Sequence, residues 1–317
     1  MIRCAVLDDY QQVAKSIADW ASIEDRVEVT VFHEHMADED ELAAALAPFE
    51  IIVIMRERTP FRAPLLARLP NLKLLVTTGM RNASVDLEAA AARGVVVSGT
   101  SGLSSHTAEL TWALILGLAR HIVQEHGAVR QGMWQSTLGT DLCGKKLGVL
   151  GLGKLGGRVA KIGLAFGMEV AAWSQNLTQE RADEAGVRLA GSKEELLAES
   201  DFVSIHLVLS DRTRGLIGAE QLKLMRPDAY LINTSRAPIV DQAALAQALC
   251  EGWIAGAGLD VYETEPLPKD HPFRTLPNVL TTPHLGYVTK DNYRVFYQDA
   301  VDDIWAFLEG APIRRLA

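Results

Sequence analysis

Residues 146–156 read Lys-Leu-Gly-Val-Leu-Gly-Leu-Gly-Lys-Leu-Gly. The first five residues are typical of a buried strand, and the residues that follow the third turn glycine carry an apolar stripe at helical spacing. A GxGxxG pattern alone is a weak signal in a chain with 25 glycines. Between a strand and a helix, however, its glycines permit a tight turn, close approach of the backbone to a pyrophosphate, and close helix–strand packing. Amides at the helix N-terminus would hold the anion. The predicted dinucleotide-binding residues of this turn are Gly151, Gly153, Lys154, Leu155 and Gly156.

The strand after this turn, predicted at 169–173, should end with the residue that contacts the adenosine ribose. That end reads Trp173-Ser-Gln-Asn and contains no carboxylate. An Asp or Glu would bind the ribose 2′-hydroxyl and repel a 2′-phosphate, whereas Ser174 and Gln175 offer donors to either group. The cofactor is therefore predicted to be NAD or NADP, with a slight preference for NADP because the usual repulsive group is missing.

Apolar β-type runs alternate with helical patterns along the chain, which favours parallel sheets with helices on both faces. One such unit fills the first hundred residues or so and ends at a Gly-, Ser- and Thr-rich connection over 98–105. A long helix is predicted at 107–130, and a second α/β series begins at Lys145. We expect the last helix, at 290–308, to return to the first unit. The fold class is thus α/β, with two Rossmann-like domains.

Composition excludes several classes of function. A formal charge of −9 argues against a nucleic-acid surface, so an anionic substrate would need a local cluster of Arg and Lys. The three cysteines lack CxxC spacing, and we expect buried free thiols with no disulfide and no metal site. Neither a secretory signal nor a membrane-spanning apolar run is evident. We therefore expect a cytoplasmic protein with no membrane or nucleic-acid partner.

Polar side chains follow three predicted core strands of the second unit. Because the carboxyl ends of strands line the ligand crevice in doubly wound sheets, Arg236, Glu265 and His284 are candidates on residue type alone. An arginine fork suits a carboxylate beside a carbonyl, and a histidine can protonate a forming alkoxide near neutral pH. A carboxylate paired with that histidine would stabilise the imidazolium. These three residue types fit chemistry at the reacting carbon of a 2-oxo or 2-hydroxy acid.

Several motifs in a fixed order make the assignment more specific. The chain resembles the D-isomer-specific 2-hydroxyacid dehydrogenase family, which includes glyoxylate/hydroxypyruvate reductases and phosphoglycerate dehydrogenases, along nearly its whole length. The stretches that carry the resemblance are 144–153, 233–241, 258–266 and 282–286. The resemblance implies a discontinuous flavodoxin-like substrate domain, 1–98 and 288–317, flanking an inserted dinucleotide-binding domain, 99–287, with the active site in the cleft.

The resemblance also implies a role for each site residue. Arg236 would bind the substrate carboxylate and carbonyl, and His284 would be the acid/base paired with Glu265. The product would have the D configuration, and the protein would be a homodimer built through its cofactor domains. The remaining residues implied to bind the cofactor are His206, Thr234, Ser235, Asp260 and Gly286.

The chain departs from the family in the loop whose amides usually hold the substrate carboxylate. Here that loop includes Gly79, Met80 and Arg81, and the last two replace small residues. Arg81 would either contact an anionic substrate or pack structurally, and Arg56 and Arg58 are weaker candidates. Two alternatives stay open: a non-catalytic NAD(P)(H)-sensing protein of the same fold, and a phosphite dehydrogenase. A formate dehydrogenase is disfavoured because that branch carries glutamine at the position of Glu265.

Overall fold

The computed structural model describes residues 1–317, and the chain folds as two compact units. Unit 1 comprises Met1–Leu103 and Thr289–Ala317, and unit 2 comprises Ser104–Val288. Each unit contains one wholly parallel sheet with helices between its strands. The predicted α/β class is confirmed.

Unit 1 begins with four strand–helix repeats and a fifth strand. Its strands are β1 (Ile2–Val6), β2 (Val27–Val31), β3 (Ile51–Ile54), β4 (Leu74–Thr77) and β5 (Val96–Gly99). Its first helices are α1 (Ala14–Ile17), α2 (Glu39–Leu46), α3 (Ala63–Ala67) and α4 (Leu87–Ala92), with a 3-10 turn at Trp20–Ile23. The strand order is β2-β1-β3-β4-β5, which is the flavodoxin-type order with its switch point between β1 and β3. Strands β3 and β4 are buried at every residue and are apolar apart from Thr77, because both faces of the sheet are covered there.

Local chemistry explains where several helices of unit 1 begin and end. The Asp38 side chain accepts hydrogen bonds from the first amides of α2, and Asp86 caps α4 in the same way. Between residues 11 and 20, the only α-helical residues are the four of α1, and a 3-10 turn begins at Trp20. Gln12 adopts a left-handed φ of 56°, and the Trp20 indole donates to the Ala14 carbonyl at 2.8 Å. Both features oppose a continuous helix.

Unit 2 is the larger series. Its strands are β6 (Lys146–Leu150), β7 (Glu169–Trp173), β8 (Arg188–Leu189), β9 (Phe202–Ile205), β10 (Tyr230–Asn233), β11 (Gly256–Leu259) and β12 (Val279–Thr281). Its helices are α5 (His106–Ala119), α6 (Ile122–Arg130), α7 (Lys154–Ala165), α8 (Gln179–Glu184), α9 (Lys193–Glu199), α10 (Ala219–Leu224) and α11 (Gln242–Glu251), with 3-10 turns at Ala237–Ile239 and Pro272–Arg274. The sheet order β12-β11-β10-β9-β6-β7-β8 is a Rossmann order with one added strand, and its switch point lies between β6 and β9.

Two expectations for unit 2 were wrong or incomplete. The single helix expected over 107–130 is broken at His121, which has a left-handed φ of 50° and separates α5 from α6. The short elements α8 and β8 were not predicted, because neither has a long apolar pattern. No helix of this chain is both long enough and apolar enough to span a bilayer.

The chain returns to unit 1 with α12 (Lys290–Leu308) and a C-terminal tail. The tail pairs with β5, since the Leu316 amide donates to the Val97 carbonyl at 2.7 Å and Ser98 forms an antiparallel bridge with Arg315. This pairing covers an otherwise open sheet edge.

The expectation that all three thiols are buried is wrong for two of them, because Cys143 and Cys250 lie in exposed loop and helix-end positions.

Candidate active site

The three catalytic candidates follow three neighbouring strands of unit 2. β10, β11 and β12 are adjacent and parallel, and Arg236, Glu265 and His284 lie in the segments that leave their carboxyl ends. Neighbouring strands are about 4.8 Å apart, so these segments start within roughly 10 Å of one another. The structure therefore brings the three segments to one end of one sheet. The last residues of the four strands there are paired in register: Ile205, Asn233, Leu259 and Thr281.

His284 and Glu265 form a short hydrogen-bonded pair. The Nδ1 atom of His284 lies 2.6 Å from Oε2 of Glu265, and the two side chains are 20% and 30% exposed. The other oxygen of Glu265 accepts the Tyr262 amide at 2.9 Å. Because Nδ1 is occupied, the ring presents Nε2 on its opposite side. This arrangement fixes both the orientation of the imidazole and the nitrogen available for proton transfer.

A buried carboxylate holds the loop that carries His284. Asp260 is fully buried, and its Oδ1 accepts the Thr282 hydroxyl at 2.6 Å and the Leu285 amide at 2.7 Å. Its Oδ2 accepts the Gly286 amide at 2.8 Å. Burial raises the pKa of Asp260, while these hydrogen bonds act in the opposite direction. His284 adopts a left-handed φ of 54°, an unfavourable conformation that this set of bonds helps to maintain.

Sequence reasoning missed Tyr262 as a part of this site. Its hydroxyl lies 2.9 Å from the carbonyl oxygens of both Leu259 and Thr282, so one proton is shared between two acceptors. Burial raises the pKa of Tyr262, which keeps the hydroxyl protonated. Tyr262 thus ties the end of β11 to the end of β12. The available signal was an aromatic residue with a hydroxyl inside a polar segment at a strand end.

Arg236 is presented by a turn that Asn233 organises. Asn233 is buried, its Oδ1 accepts the Ser235 amide at 3.0 Å, and its Nδ2 donates to the Arg236 carbonyl at 3.1 Å. The Nη1 atom of Arg236 donates to the Ser235 carbonyl at 2.9 Å. Asn233 lies in the stretch 233–241 that carries the resemblance but was not predicted as a site residue, although an Asn at the end of a buried strand is typical of such a turn.

The glycine turn between β6 and α7 has a backbone that depends on glycine at two positions. Gly151 has a φ of 101°, and a side chain at Gly156 would lie 1.9 Å from the Gly151 carbonyl oxygen. Gly153 caps α7 without any side-chain hydrogen bond, and nothing lies within 4 Å of where its side chain would be. α7 opens with Lys154 and Leu155 and has no acidic residue in its first turn. Its N-terminal amides are thus available to an anion.

The other predicted cofactor residues also lie at carboxyl ends of this sheet. Ser174 and Gln175 directly follow β7, and His206 directly follows β9. The Nε2 atom of His206 lies 2.8 Å from the Ser204 hydroxyl, and burial lowers the pKa of His206 to about 4. The Thr234 and Thr111 hydroxyl oxygens are 2.8 Å apart and form a hydrogen bond. The Ser235 hydroxyl donates to the Leu207 carbonyl at 2.5 Å.

The predicted substrate loop lies in unit 1, after β4. Gly79 has a φ of 92°, and its amide already donates to the Thr100 hydroxyl at 2.9 Å. Met80 is 46% exposed and Arg81 is also exposed. Arg56, a weaker candidate, packs against Gly79 and donates to the Thr78 carbonyl at 3.1 Å. Within this loop, Arg81 is the charged group that remains outside the local hydrogen-bond network.

Comparison with known proteins identifies the family. A sequence model described as "D-isomer specific 2-hydroxyacid dehydrogenase, NAD binding domain" matches residues 112–286. A glyoxylate reductase of Aeropyrum pernix is 43% identical over 256 residues, which cover 78% of this chain and 76% of that protein. A D-3-phosphoglycerate dehydrogenase of Methanocaldococcus jannaschii is 36% identical over 262 residues, covering 82% of this chain and 50% of that protein.

Solved structures agree with the sequence comparison. A phosphoglycerate oxidoreductase from Vibrio cholerae matches with a TM-score of 0.94 and 40% identity, covering 98% of this chain and all of that one (100%). A D-lactate dehydrogenase from Escherichia coli matches with a TM-score of 0.84 and 25% identity, covering 100% of both chains.

The chain belongs to the D-isomer-specific 2-hydroxyacid dehydrogenase family. It is an NAD(P)-dependent oxidoreductase that acts on 2-hydroxy acids. The predictions of family, fold class and cofactor type are therefore confirmed.

Proposed function

We propose that the protein reduces a small 2-oxo acid to its D-2-hydroxy acid, with Arg236, Glu265 and His284 acting at C2. The observation that carries this proposal is the 2.6 Å bond between His284 Nδ1 and Glu265 Oε2, formed at the sheet end that also presents Arg236. Asp260 and Tyr262 hold the surrounding segments but do not themselves need to touch the substrate.

His284 acts as the proton donor in this proposal. Glu265 holds Nδ1, so Nε2 faces the substrate oxygen and gives its proton to the developing alkoxide. The Glu265 carboxylate stabilises the imidazolium before transfer and keeps the ring in one orientation. In the opposite direction, neutral His284 removes the hydroxyl proton. A positioned acid of this kind contributes about 10²–10⁴-fold to the rate.

Arg236 binds and polarises the substrate. Its planar guanidinium can donate to the carboxylate and to the neighbouring carbonyl oxygen at once, which a lysine cannot do with the same geometry. A nicotinamide cofactor, when bound, would supply the hydride for C2, and the proton from His284 would complete the change from C=O to CH–OH. Because negative charge develops on the carbonyl oxygen, a fixed guanidinium beside it favours the transition state.

We further propose that the enzyme accepts NADPH at least as well as NADH. Ser174 and Gln175 stand where an acidic residue would exclude a 2′-phosphate, and neither is charged. A Ser174→Asp variant should lower kcat/KM with NADPH by about tenfold or more relative to NADH, because like charges repel. A matched Ser174→Asn variant, which adds the same bulk without charge, should keep the original ratio. An unchanged ratio in the Asp variant would contradict this assignment.

The substrate contacts that we propose in unit 1 are Gly79, Met80 and Arg81. Since the Gly79 amide is engaged by Thr100, Arg81 is the member able to add charge to substrate recognition. An additional cation suits a protein whose formal charge is −9, where the overall field does not attract anions.

We also propose a homodimer formed through unit 2. Apolar side chains are exposed on α6 and on the segment after it, and Trp134 and Leu138 are 78% and 92% exposed. Glu125 accepts hydrogen bonds from Ser136 and Thr137, which fastens that segment to α6. The other exposed apolar residues there are Ile122, Val123, Val129 and Met133. This number of exposed large apolar side chains within residues 122–138 favours an interface there.

Sedimentation equilibrium tests the dimer. Leu138→Glu should give a monomer, because the charge would be buried without a partner. Leu224→Glu, at an exposed apolar position on another helix of unit 2, serves as the control and should stay dimeric. A monomeric unaltered protein would contradict the proposal.

The reaction is tested by following NADH and NADPH consumption over a panel of 2-oxo acids, including glyoxylate, hydroxypyruvate and pyruvate. We expect turnover of at least one small acid, a product of D configuration, and loss of turnover in His284→Ala. Phosphite with the oxidised cofactors belongs in the same panel. Cofactor binding without any turnover would replace the proposal with a sensor function, and turnover of phosphite alone would replace it with phosphite oxidation.

A further inference from the structure

A largely exposed segment of unit 2 carries Glu265. Residues 263–270 follow the buried Tyr262 and form neither a helix nor a strand. Most of their side chains are exposed, so few apolar contacts fix the course of this segment. A segment of this kind opens at a low free energy unless hydrogen bonds hold it. The bonds that hold it therefore decide how well Glu265 is placed for His284.

One residue of α11 contacts both ends of this segment. The Oε1 atom of Gln242 accepts the Glu263 amide at 3.0 Å, and its Nε2 atom lies 2.8 Å from Nε2 of His271. Glu263 precedes Glu265 by two residues, and His271 directly follows the segment. A primary amide has an acceptor oxygen and a donor nitrogen on one planar group, so it can bind two partners at once. Gln242 thus ties the two ends of the segment to α11.

Gln242 is itself fixed at the beginning of α11. It is the first residue of this helix, and the preceding Asp241 is the cap whose side chain accepts the Ala244 amide at 2.9 Å. The Asp241 amide donates to the Ile217 carbonyl at 2.9 Å. Leu245, in the first turn of the helix, is buried in the core of unit 2. The segment is therefore tied to a well-anchored helix end.

The far end of the segment is held by several other contacts. The Phe273 amide donates to His271 Nδ1 at 3.2 Å, and the two ring centroids are 4.7 Å apart. Phe273 is buried in the core of unit 2. Arg274 donates from Nε to the Pro268 carbonyl at 2.7 Å and from Nη2 to the Leu267 carbonyl at 2.5 Å. This end of the segment does not depend on α11 alone.

The near end, next to Glu265, is held by two bonds of the backbone. The Tyr262 amide donates to Glu265 Oε1 at 2.9 Å, and the Glu263 amide donates to Gln242. In this arrangement the other oxygen of Glu265 lies 2.6 Å from Nδ1 of His284. Loss of the bond to Gln242 would leave the turn without its tie to α11. Because a small misplacement of a catalytic group lowers the rate, this tie matters for turnover.

We propose that Gln242 is a positioning residue for the reaction, since it holds the segment that carries Glu265 in the place where Glu265 meets His284. This inference rests on the proposed function, because Gln242 acts through the Glu265–His284 pair. The polar atoms of Gln242 bond to Glu263 and His271, so its effect on the reacting atoms is indirect.

Steady-state kinetics of two matched glutamine variants test the proposal. Gln242→Met keeps the length of the side chain but removes both polar atoms. We expect kcat to fall about three- to tenfold with little change in KM, because the proton donor is misplaced while substrate binding persists. The control is Gln247→Met, at an exposed position of the same helix where the glutamine bonds to Glu251, and it should keep kcat. Equal kcat in the two variants would overturn the proposal.

A second variant covers the case in which Gln242→Met does not fold. Gln242→Asn keeps the amide but is one methylene shorter, so it should lose the reach to Glu263 and show the same fall in kcat. Normal kcat in Gln242→Asn would count against the proposal in the same way.

A double-mutant cycle tests whether Gln242 acts through Glu265. In a Glu265→Gln background, Gln242→Met should lower kcat by about twofold or less, because the group that Gln242 positions is already lost. A full additional loss there would show an independent effect and overturn the proposal. Normal turnover in Glu265→Gln would reject the catalytic pair and this inference together. Impaired Glu265→Gln beside normal Gln242→Met would reject the positioning role and leave the proposed function intact.

Proton NMR of the protein without cofactor gives a readout that does not depend on turnover. The proton between His284 Nδ1 and Glu265 should resonate far downfield, because it lies in a short hydrogen bond to a carboxylate. Its loss in Glu265→Gln assigns the resonance. We expect it to be broadened or lost in Gln242→Met and retained in Gln247→Met. An unchanged resonance in Gln242→Met would show that the pair forms without Gln242 and would overturn the proposal.

Discussion

At the carboxyl end of the unit 2 sheet, His284 bonds to Glu265 at 2.6 Å, and both side chains remain partly exposed. At the carboxyl end of the unit 1 sheet, His35 bonds to Asp8 at 3.2 Å, and the Asp8 carboxylate is almost completely buried. Each sheet therefore carries a histidine–carboxylate pair beyond its strands, as well as a nearby arginine. The two pairs differ in what else surrounds the carboxylate and the arginine.

In unit 1, the carboxylate of the pair and the nearby arginine are both bound to other groups of the same unit. The second oxygen of Asp8 accepts the Thr59 hydroxyl at 2.7 Å. Arg58 donates to the Asp8 carbonyl at 2.7 Å, and its guanidinium lies over the Tyr10 ring at 4.4 Å. In unit 2, the second oxygen of Glu265 accepts a hydrogen bond from the Tyr262 amide, three residues earlier in the chain, and this bond fixes the position of the Glu265 side chain. Residue type and strand-end position therefore do not distinguish the pair that we propose as catalytic from the pair in unit 1. The two pairs differ in the exposure of the carboxylate, 30% for Glu265 and 2% for Asp8, and in its other hydrogen-bond partners.

The largest expected effect is the difference between the two histidines. His284→Ala should lower kcat by about 10²–10⁴-fold with little change in KM, because the proton donor is lost while substrate binding persists. His35→Ala, which removes a histidine from a similar pair, should leave kcat unchanged and lower the melting temperature. Steady-state kinetics and thermal unfolding of both variants measure this contrast. Comparable losses of kcat in the two variants would contradict the assignment of a catalytic role to His284 and a structural role to His35.

A smaller effect is expected for the two carboxylates. Glu265→Gln keeps a hydrogen-bond acceptor for His284 but removes the charge that stabilises the imidazolium, so kcat should fall by roughly tenfold or more. Asp8→Asn should instead lower the free energy of unfolding by about 1–3 kcal/mol, because a buried hydrogen-bonded network loses one matched partner. Kinetics and denaturant unfolding of both variants separate the two outcomes. Normal turnover in Glu265→Gln would remove Glu265 from the proposed mechanism.

The parts of the fold that sequence reasoning predicted are those with strong patterns. Strands β6 and β7 were predicted with their observed bounds, because they are apolar runs followed by glycine or polar residues. The long final helix α12 was also predicted with its observed bounds, since its cap Thr289 and its apolar spacing are clear. Short elements such as β8, with two residues, have no pattern long enough to recognise.

The failures have a common physical reason, which is that they depend on contacts distant in sequence or on unusual backbone angles. His121 looks compatible with a continuous helix, yet its left-handed backbone divides α5 from α6. No local pattern marks His35 as a paired residue, yet Asp8 from another strand end binds it. Tyr262 is recognised as a site residue only from the structure, in which its hydroxyl contacts the carbonyls of Leu259 and Thr282 at the ends of β11 and β12. The order of motifs indicated the segments of the site but not the bonds that hold them.

The smallest effect that we expect is a pH dependence of stability. Its sign differs between a buried histidine of unit 2 and a buried carboxyl group of unit 1. In unit 2, burial lowers the pKa of His206 to about 4, below its unfolded value near 6.5. The stability contribution of His206 is therefore present above about pH 6.5 and is lost as pH falls towards 4. In unit 1, Asp303 is fully buried, and burial raises its pKa to about 7 despite the nearby Arg314. Its contribution has the opposite sign: it is present below about pH 4 and is lost as pH rises through 7.

Asp303→Asn tests this sign directly. The carboxylate faces Arg314 from the tail and the neighbouring acids Asp299 and Asp302 of its own helix, and its Oδ2 has no hydrogen-bond partner. Removing the charge should raise stability at pH 8 by about 1 kcal/mol, since a buried, imperfectly satisfied charge costs more than its ion pair returns. The gain should shrink at pH 5, where the carboxyl of the unaltered protein already holds its proton. The control is Asp291→Asn, which changes an exposed acid at the start of the same helix and should show no such pH-dependent gain. A melting temperature that falls at pH 8 in Asp303→Asn would mean that the bond to Arg314 outweighs the burial of the charge, and the tail would then depend on that ion pair.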